Sequence, residues 1–590
     1  MHLLPPEIIV YILRFSSLKD SLSLQQTCKS IYTTIQSSLE CQYKILLEAS
    51  GMLDNPHSPL DLKQKYDLLK ARERAWLLLE PRFTRSIPVD HSSVVIYELA
   101  AGAYLLSDRN KRTVDYLPLP SSPTQISQWT RFPVTDQLLD FGISNNLLVI
   151  VTLAPSSQIT ISFIHLPSGN ALGSIPYTLD SAGRTGVAIE ILGHLVAIVL
   201  YDPRSAFNDH VLILNWKKCS ILTQLASARR SYQNATFLST DLLLVPNAFD
   251  ASIEIWRLPT DPCPHLETPD VVLLLPKLNS TYRISDFGSR AAPNSCPNTD
   301  RPFCSDPSQA IIVFHLTVAP TNARMTVPFI FFIHRKSFFE LLSGTSPVPW
   351  SSWGPPRTRF LNHRQTHHAD WITTTSGQRY VLLQNSDPFS PPDHHNPIMV
   401  YDFNPAMVNR VRVAEERRKQ AEEKDRERFE KEREKGLGHR TTLSDPGPSR
   451  PSDSSILLDI PLLDLSFNPL LRLGWEWSST PKITPPPLPQ SPVSPSIFPY
   501  SPVTHQIHDL ETYDPPVLQK IFSEPVGGSL PYIVSTYSPS SSEAINLDGV
   551  IMDDERIIGI KRGSGEDIFG NGIIIGGGGG VEGIEVMWFG

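Results

Sequence analysis

The hydrophobic pattern of the first residues predicts a short helix at the N-terminus. Pro5 and Pro6 suit the opening of a helix, where a missing N–H costs nothing. Glu7 falls in the first turn, where the helix dipole favours a carboxylate. Ile8 and Ile12 then recur at helical spacing, so we expect the helix to continue to about residue 15.

Two further short helices are predicted before residue 40. Asp20 is placed to cap a second helix that carries Leu22 and Leu24. Cys28 and Ile31 begin an apolar stripe, continued by Tyr32, Ile35 and Leu39, that predicts a third. Three short helices bury little surface, so we expect this module to gain stability from a partner.

Residues 46–85 predict a pair of linker helices. Tyr43, Leu46 and Leu47 line one helix face up to Gly51, a natural helix stop. Apolar residues then recur every three or four positions until Pro81, which ends the second helix.

From about residue 90 the pattern changes to short apolar strands separated by turn residues. The strand pairs repeat with a period near fifty residues, which is typical of propeller blades. We therefore predict a divergent β-propeller of six or seven blades over 90–408, with 503–590 returning to form the last blade. If the ring closes, those last strands should pair near the first β segment at 92–106. A large β-sandwich, or two, is the alternative.

Residues 409–502 are predicted to be an insertion in the β domain. Opposite charges recur at i+3 and i+4 between 411 and 435, which favours a solvated single helix. Proline and serine dominate from 436 to 502, and such a segment buries too little apolar surface to fold. The predicted fold class is therefore multidomain, α followed by all-β, with a disordered, charged and proline-rich insertion.

Composition narrows the function class. The chain has 590 residues and a net charge of −8 without a basic stripe, which argues against nucleic acid as a partner. The apolar runs are too short to cross a membrane, and the N-terminus lacks the features of a signal peptide. Six cysteines without framework spacing suggest reduced thiols. We expect a cytoplasmic or nuclear protein with no membrane partner.

The sequence carries no convincing catalytic constellation or cofactor motif. The glycine run 576–580 lacks the ending of a phosphate-binding loop, so a flexible turn is the better interpretation. The histidines at 363, 367, 368, 394 and 395 lie in polar stretches and favour surface positions over a metal site. Cys263, Cys296 and Cys304 match no closed zinc site. We expect no catalytic residue, no metal and no cofactor.

One aromatic and basic stretch suggests a surface for a target protein. Trp350, Trp353, Arg357 and Arg359 combine the two residue types that are favoured as interface anchors. Packing of both tryptophans in the core is nearly as well supported.

The N-terminal residues also resemble a known family. Leu4-Pro5-x-Glu7-Ile8, Ile12-Leu13, Asp20-x-Leu22 and Cys28-Lys29-x-Ile31 resemble an F-box in order and spacing. The resemblance covers roughly residues 2 to 45, and we take 1–45 as the F-box. The proline that often precedes the second helix is missing here. The segment that follows the F-box is similar to the corresponding segment in a group of fungal F-box proteins.

The resemblance implies a receptor subunit of a Skp-cullin-F-box type ubiquitin ligase. The F-box would dock a Skp-type adaptor of a cullin ligase, and the β domain would capture a target protein of unknown identity. The docking residues it implies are Leu4, Pro5, Ile8, Ile12, Leu13, Leu22, Leu24 and Cys28. Such a receptor supplies no catalytic residue and acts by proximity.

Two other functions remain open. The chain could be a non-catalytic interaction scaffold whose N-terminal helices are only a structural cap. It could also be an enzyme that uses a propeller channel, but the predicted inner strands are mostly apolar, so this ranks last.

Overall fold

The computed structural model describes most of the chain, with gaps. The described residues are 4–108, 110–166, 168–178, 186–201, 209–226, 231–292, 301–322, 326–344, 346–362, 373–384, 396–435, 503–508, 516–537, 547–562 and 581–590. The chain divides into two compact units. One comprises 1–46 with 409–504, and the other comprises 47–408 with 505–590.

The first unit opens with four helices. They are α1 (Pro6–Leu13), α2 (Leu18–Gln25), α3 (Lys29–Ser37) and α4 (Leu39–Ser50), of which the last runs on into the second unit. Leu13, Ile31, Ile35, Cys41 and Ile45 form their buried core. The three predicted short helices are therefore present.

The cap of α2 differs from the prediction. Ser17, not Asp20, is the N-cap residue, and its side chain accepts a hydrogen bond from the Asp20 backbone N–H at 3.2 Å. Asp20 lies in the first turn instead, where its carboxylate accepts a hydrogen bond from the Ser17 hydroxyl at 2.7 Å. Serine and aspartate three residues apart are both good capping residues, so the pattern alone did not say which one caps.

The second unit begins with the predicted linker. Strand β1 (Met52–Asp54) precedes α5 (Leu62–Leu78). Asp61 and Gln64 form a reciprocal capping box at the start of α5, which satisfies two backbone donors. The helix ends at Leu79, which adopts a left-handed conformation with φ of 46°.

Four-stranded antiparallel sheets follow one another along the chain. The first contains the second half of β2 (Phe83–Ala100), β3 (Ala103–Asp108), β4 (Thr113–Pro118) and β5 (Thr130–Pro133). The second contains β6 (Gln137–Ser144), β7 (Leu147–Leu153), β8 (Gln158–His165) and β9 (Asn170–Thr178). The third contains β10 (Gly186–Leu192), β11 (Leu195–Tyr201), β12 (His210–Asn215) and β13 (Ser220–Ala226). The fourth contains β14 (Thr236–Ser239), β15 (Leu242–Asn247), β16 (Ser252–Arg257) and β17 (Val271–Leu274).

The remaining sheets carry additions. The fifth contains β18 (Tyr282–Ala291), β20 (Ile311–Pro320), β21 (Val327–His334) and β22 (Thr358–Asn362), and β19 (Phe303–Ser305) in its first connection pairs with β1. Helices α6 (Arg335–Leu341) and α7 (Trp350–Arg357) lie between β21 and β22. The sixth contains β23 (Thr375–Ser376), β24 (Arg379–Leu383), β25 (Ile398–Asp402), β27 (Tyr532–Tyr537) and, at its edge, β26 (Val503–His508). The last contains β28 (Gly549–Met552), β29 (Arg556–Arg562), β30 (Val581–Trp588) and the first half of β2.

The long strand β2 closes the ring. Its first half pairs with β30, from Phe83 opposite Trp588 to Pro88 opposite Gly583. Its second half pairs with β3, ending with Ala100 opposite Ala103. The first and last sheets are thus joined through one strand, but most of its pairing with β30 falls at 83–88, before the segment 92–106 where we expected it.

The first strands of successive sheets contact one another in the order β2, β6, β10, β14, β18, β23 and β28. Apolar clusters fill the spaces between neighbouring sheets, for example between the second and third and between the fourth and fifth. In the described part of the chain this is a β-propeller of seven blades, and the prediction of six or seven blades is confirmed. Stacking the blades buries both faces of each sheet, which one blade alone could not do.

The connection between β25 and β27 holds the predicted charged helix and a strap. Helix α8 (Pro405–Lys435) carries buried apolar residues near its start, whereas its side chains from 421 to 431 are exposed. The strap consists of α9 (Pro516–Ile521) and the following residues to 530. Leu518, Ile521 and Phe522 of the strap are buried in the cluster between the fourth and fifth blades.

The strap explains where Trp350 and Trp353 lie, and the prediction that they bind a target is wrong. Both indoles are buried in the same cluster, and Trp350 Nε1 donates a hydrogen bond to the Pro525 carbonyl of the strap at 3.1 Å. Arg359 is also buried and donates to the Leu530 carbonyl at 2.8 Å. The alternative of core packing, which concerned the two tryptophans, was correct. Arg357 is half-buried and pairs with Glu340 at 3.5 Å.

Several predicted features lie outside the described residues. They are the proline- and serine-rich segment 436–502, the glycine run 576–580, the histidines at 363, 367, 368, 394 and 395, and Cys296.

Candidate functional site: an apolar face on the first helix

Helix α1 has apolar side chains on two faces. Leu13 is buried against α3, and Ile9 and Val10 pack on the same core. Ile8 and Tyr11 face outwards and are 45% and 55% exposed. A helix that is apolar on both faces needs a second apolar partner besides its own core.

The exposed row extends along the whole helix. Leu4 and Ile12 are 39% and 40% exposed, and Phe15, just past the helix end, is 76% exposed. We call Leu4, Ile8, Tyr11, Ile12 and Phe15 the α1 face. Exposed apolar side chains grouped in this way mark interaction sites, whereas single ones carry no such meaning.

Aromatic contacts preorganise one end of the α1 face. The Tyr11 and Phe15 rings meet edge to face, with centroids 5.4 Å apart and planes at 71°. The Arg14 guanidinium lies 5.8 Å from the Tyr11 centroid and donates a hydrogen bond to Glu40 at 2.9 Å. This hydrogen bond and the Glu40 charge raise the pKa of Arg14. Aromatic side chains held in this way lose little conformational entropy on binding.

The end of α1 is held by a lysine of α4. Lys44 Nζ donates to the Leu13 carbonyl at 2.7 Å and also to the Ser16 carbonyl. A cation at the last carbonyls of a helix compensates the negative end of its dipole. Nearby, burial raises the pKa of the Cys41 thiol, so this cysteine stays protonated within the core.

The docking residues implied by the sequence divide into two groups. Leu4, Pro5, Ile8 and Ile12 are exposed and can meet a partner. Leu22, Leu24 and Cys28 are half-buried against the helical core, and Leu13 is buried within it. We therefore correct the role of Leu13, which orients α1 rather than offering surface.

The docking residues implied by the sequence do not include Tyr11, Phe15 or Tyr32, although all three are exposed. A signal for the first two was present. Residues 8, 11, 12 and 15 follow the i, i+3, i+4, i+7 pattern, while 9, 10 and 13 mark a second stripe. Two apolar stripes on one short helix predict one buried face and one exposed face.

The centre of the propeller is more polar than the sequence indicated. Glu98, Glu190 and Arg290 line a cavity of about 60 Å³ between the first strands of the blades. Burial raises the pKa of Glu98 to about 8 and that of Glu190 to about 7. Burial likewise raises the pKa of Asp140, also on a first strand, to about 7.

Three further features of the described part of the chain bear on its chemistry. It contains no group of three or more histidine, cysteine or acidic residues placed to hold a metal ion. Five cysteines of the described residues are free thiols. None of the described helices combines the length and apolar character needed to cross a membrane.

Comparison with family models identifies the helical module. Residues 1–42 match the model of the F-box domain. The chain carries an F-box domain. Its α1 face is therefore the exposed apolar surface of an F-box. No curated protein sequence matches the chain, and its similarity to fungal F-box proteins stays a prediction.

The solved structures to which this chain is similar include WD40 domains. The WD40 domain of coronin from Toxoplasma gondii is 8% identical, with 54% of this chain and 72% of that chain covered and a TM-score of 0.31. The C-terminal WD40 domain of Sif2 is 10% identical, with 55% and 85% covered and a TM-score of 0.28. A chain of the mitotic checkpoint complex is 10% identical, with 55% and 78% covered and a TM-score of 0.28. These similarities are remote, and we assign the propeller from the strand pairing.

Proposed function

We propose that this chain is the target-binding subunit of a Skp-cullin-F-box type ubiquitin ligase. The F-box docks a Skp-type adaptor through the α1 face, and the propeller captures a target protein. The chain itself is non-catalytic and acts by raising the effective concentration of the target near the ubiquitin donor. A subunit of this kind works in the cytoplasm or the nucleus.

The observation that supports this proposal is the α1 face. Its five apolar side chains are exposed while the opposite face of α1 completes the F-box core. Fully burying one such side chain contributes roughly 1.5–3 kcal/mol. A partner that covers the row therefore gains most of the affinity that a small interface needs.

The direct test is adaptor binding by the full chain with Ile8→Glu and Phe15→Glu together. We expect the purified adaptor to bind the unchanged chain and to lose at least a hundredfold in affinity for the double variant, because two charges would be desolvated in the interface. Both positions are exposed, so the fold should be retained.

The matched control is Ile126→Glu with Phe249→Glu. Both residues are exposed on the propeller, at 77% and 69%, and the charge change is the same. This variant should bind the adaptor like the unchanged chain. Retained adaptor binding by Ile8→Glu with Phe15→Glu would refute the proposal.

Target turnover distinguishes the ligase proposal from the scaffold alternative. Ubiquitylated peptides would be compared between cells that express the unchanged chain and cells that express the α1-face double variant. A ligase subunit predicts peptides that depend on the α1 face. A scaffold predicts no difference between the two sets.

We place the target at the propeller end opposite the linker. In a four-stranded antiparallel blade, the first and third connections lie at one end and the second connection at the other. Three hydrogen bonds join the linker to first or third connections: Asn55 N–H donates to Pro302 at 2.9 Å, Arg72 donates to the Asp554 carbonyl at 2.6 Å, and Asn404 donates to the Ala49 carbonyl at 2.8 Å. Phe249 lies in a second connection, between β15 and β16, and is the exposed anchor we assign there.

A further inference from the structure

The propeller axis contains a cavity lined from several blades. Its volume is about 60 Å³, and its polar lining comes from β2, β10, β14, β18 and β23. One water needs roughly 10–15 Å³ by the same measure, so the cavity has room for about four waters or one small organic molecule. Glu98, Glu190 and Arg290 are half-buried at its wall, and Thr236 and Thr375 add hydroxyl groups.

The charged groups of this cavity influence one another electrostatically but are not in direct contact with a partner. Among the described residues, the Glu98 and Glu190 carboxylates and the Arg290 guanidinium make no hydrogen bond or ion pair. Asp140, close to Glu98, accepts one hydrogen bond, from the Phe141 backbone N–H.

Other buried carboxylates of the chain have direct partners. Glu254 accepts hydrogen bonds from Tyr232, Asn247 and Trp256. Glu73 is bound by Arg72 and Arg379. Buried charges are normally paired, so an unpaired set around a cavity requires an explanation.

A second arginine lies close to this cavity, although it is not part of the lining. Arg335 is 1% exposed, and its Nε and Nη1 have no hydrogen-bond partner. Its Nη2 donates to the Ala292 carbonyl at 3.4 Å, next to Ala291 of the cavity wall. Its charge also lowers the pKa of Glu190, against the larger effect of burial. A buried guanidinium with two free donors calls for an acceptor.

We propose that the cavity binds a compact ligand that carries both a positive and a negative group, as a free α-amino acid does. Its ammonium group lies against Glu98 and Glu190, and its positive charge favours the ionised carboxylates that accept its hydrogen bonds. Arg290 donates to its carboxylate, and the charge of the nearby Arg335 adds to the attraction. A purely cationic ligand would leave the arginine donors unused, and a purely anionic ligand would leave the glutamates unpaired. This site is independent of the F-box and of the ligase proposal.

The test is ligand-observed NMR of the full chain with glycine, the smallest molecule that carries both groups. We expect saturable binding with a dissociation constant on the order of 1 mM, since few atoms make the contacts. Methylammonium and acetate each carry one of the two groups, and each should bind at least tenfold more weakly. Glycine should also raise the melting temperature in proportion to its occupancy.

Two variants locate the binding. Glu190→Gln and Arg290→Gln each replace a group that makes no hydrogen bond or ion pair among the described residues, so both should fold and bind glycine at least tenfold more weakly. Asp241→Asn is the control, because it removes an exposed carboxylate on the fourth blade and should leave glycine binding unchanged.

Three results would overturn the proposal. Equal binding of methylammonium or acetate would indicate a site for a single charge. Glycine binding that survives both cavity variants would place the ligand elsewhere. Absence of binding by all three probes would mean that the cavity holds only water.

Discussion

Arg379 and Arg257 each form ion pairs with two carboxylates, but Arg379 is buried and Arg257 is exposed. Arg379 bridges Glu73 and Asp402 at 2.9 and 3.0 Å, and only 11% of its side chain is exposed. It also stacks on Trp76 of α5, with its guanidinium 5.0 Å from the ring centroid. Arg257 bridges Asp241 and Asp270 at 3.2 and 2.9 Å, but 54% of its side chain is exposed.

We predict that Arg379→Met destabilises the chain by about 3–5 kcal/mol, because it leaves Glu73 and Asp402 buried with too little compensation. Arg257→Met should cost less than about 1 kcal/mol, since water screens its pairs. Chemical denaturation of both variants checks this. Similar losses for the two would mean that burial does not determine the strength of these bridges.

At the scale of elements, the strap joins parts of the chain that are distant in sequence. The Asn279 N–H donates to the Ile521 carbonyl and the Ser523 N–H donates to the Lys277 carbonyl, each at 2.8 Å. In addition, Phe329 and Phe360 pack against Phe522 of the strap. Helix α7 contacts both the strap and the fourth blade, since Trp350 donates to the Pro525 carbonyl and Trp353 to the Leu274 carbonyl.

The element-scale prediction concerns Trp353, which is fully buried in α7 and donates to the Leu274 carbonyl at 3.0 Å. Trp353→Ala should destabilise the propeller by about 3–5 kcal/mol through the cavity it leaves. Adaptor binding, which depends on the α1 face, should be unchanged at a temperature where the variant is folded. Phe429→Ala on exposed α8 is the control and should be nearly neutral. A Trp353→Ala variant as stable as the unchanged chain would show that the packing of this indole contributes little to the propeller.

For the whole molecule, ring closure depends on one strand shared by two blades. The two halves of β2 pair with β30 and with β3. Strand β30 therefore lies between β2, from the start of the domain, and β29, from its end. Closure removes the free sheet edges that an open ring would expose.

We predict that Ile584→Asp opens the ring, because it places a charge in the buried cluster between the last and first blades. Limited proteolysis should then cut the propeller much faster than in the unchanged chain. Glu582→Lys reverses an exposed charge on the same strand, and this variant should resist proteolysis like the unchanged chain. Equal resistance of both variants would show that the ring does not depend on this pairing.

The sequence by itself determined the elements and their repeat. Local signals were sufficient for this, since helical spacing, strand alternation and turn residues each act within a few positions. They predicted the F-box helices, the linker, the propeller and the exposed Leu4, Pro5, Ile8 and Ile12.

Only the tertiary structure decided which of two chemically equal residues is exposed. Leu13 and Ile12 are neighbours of similar hydropathy, yet one is core and the other surface, because α3 and α4 cover one face of α1. Trp350 and Trp353 are buried because a strap from a distant part of the chain covers them. Glu98, Glu190 and Arg290 meet only when the blades close into a ring, so their spacing along the chain carried no sign of a shared cavity.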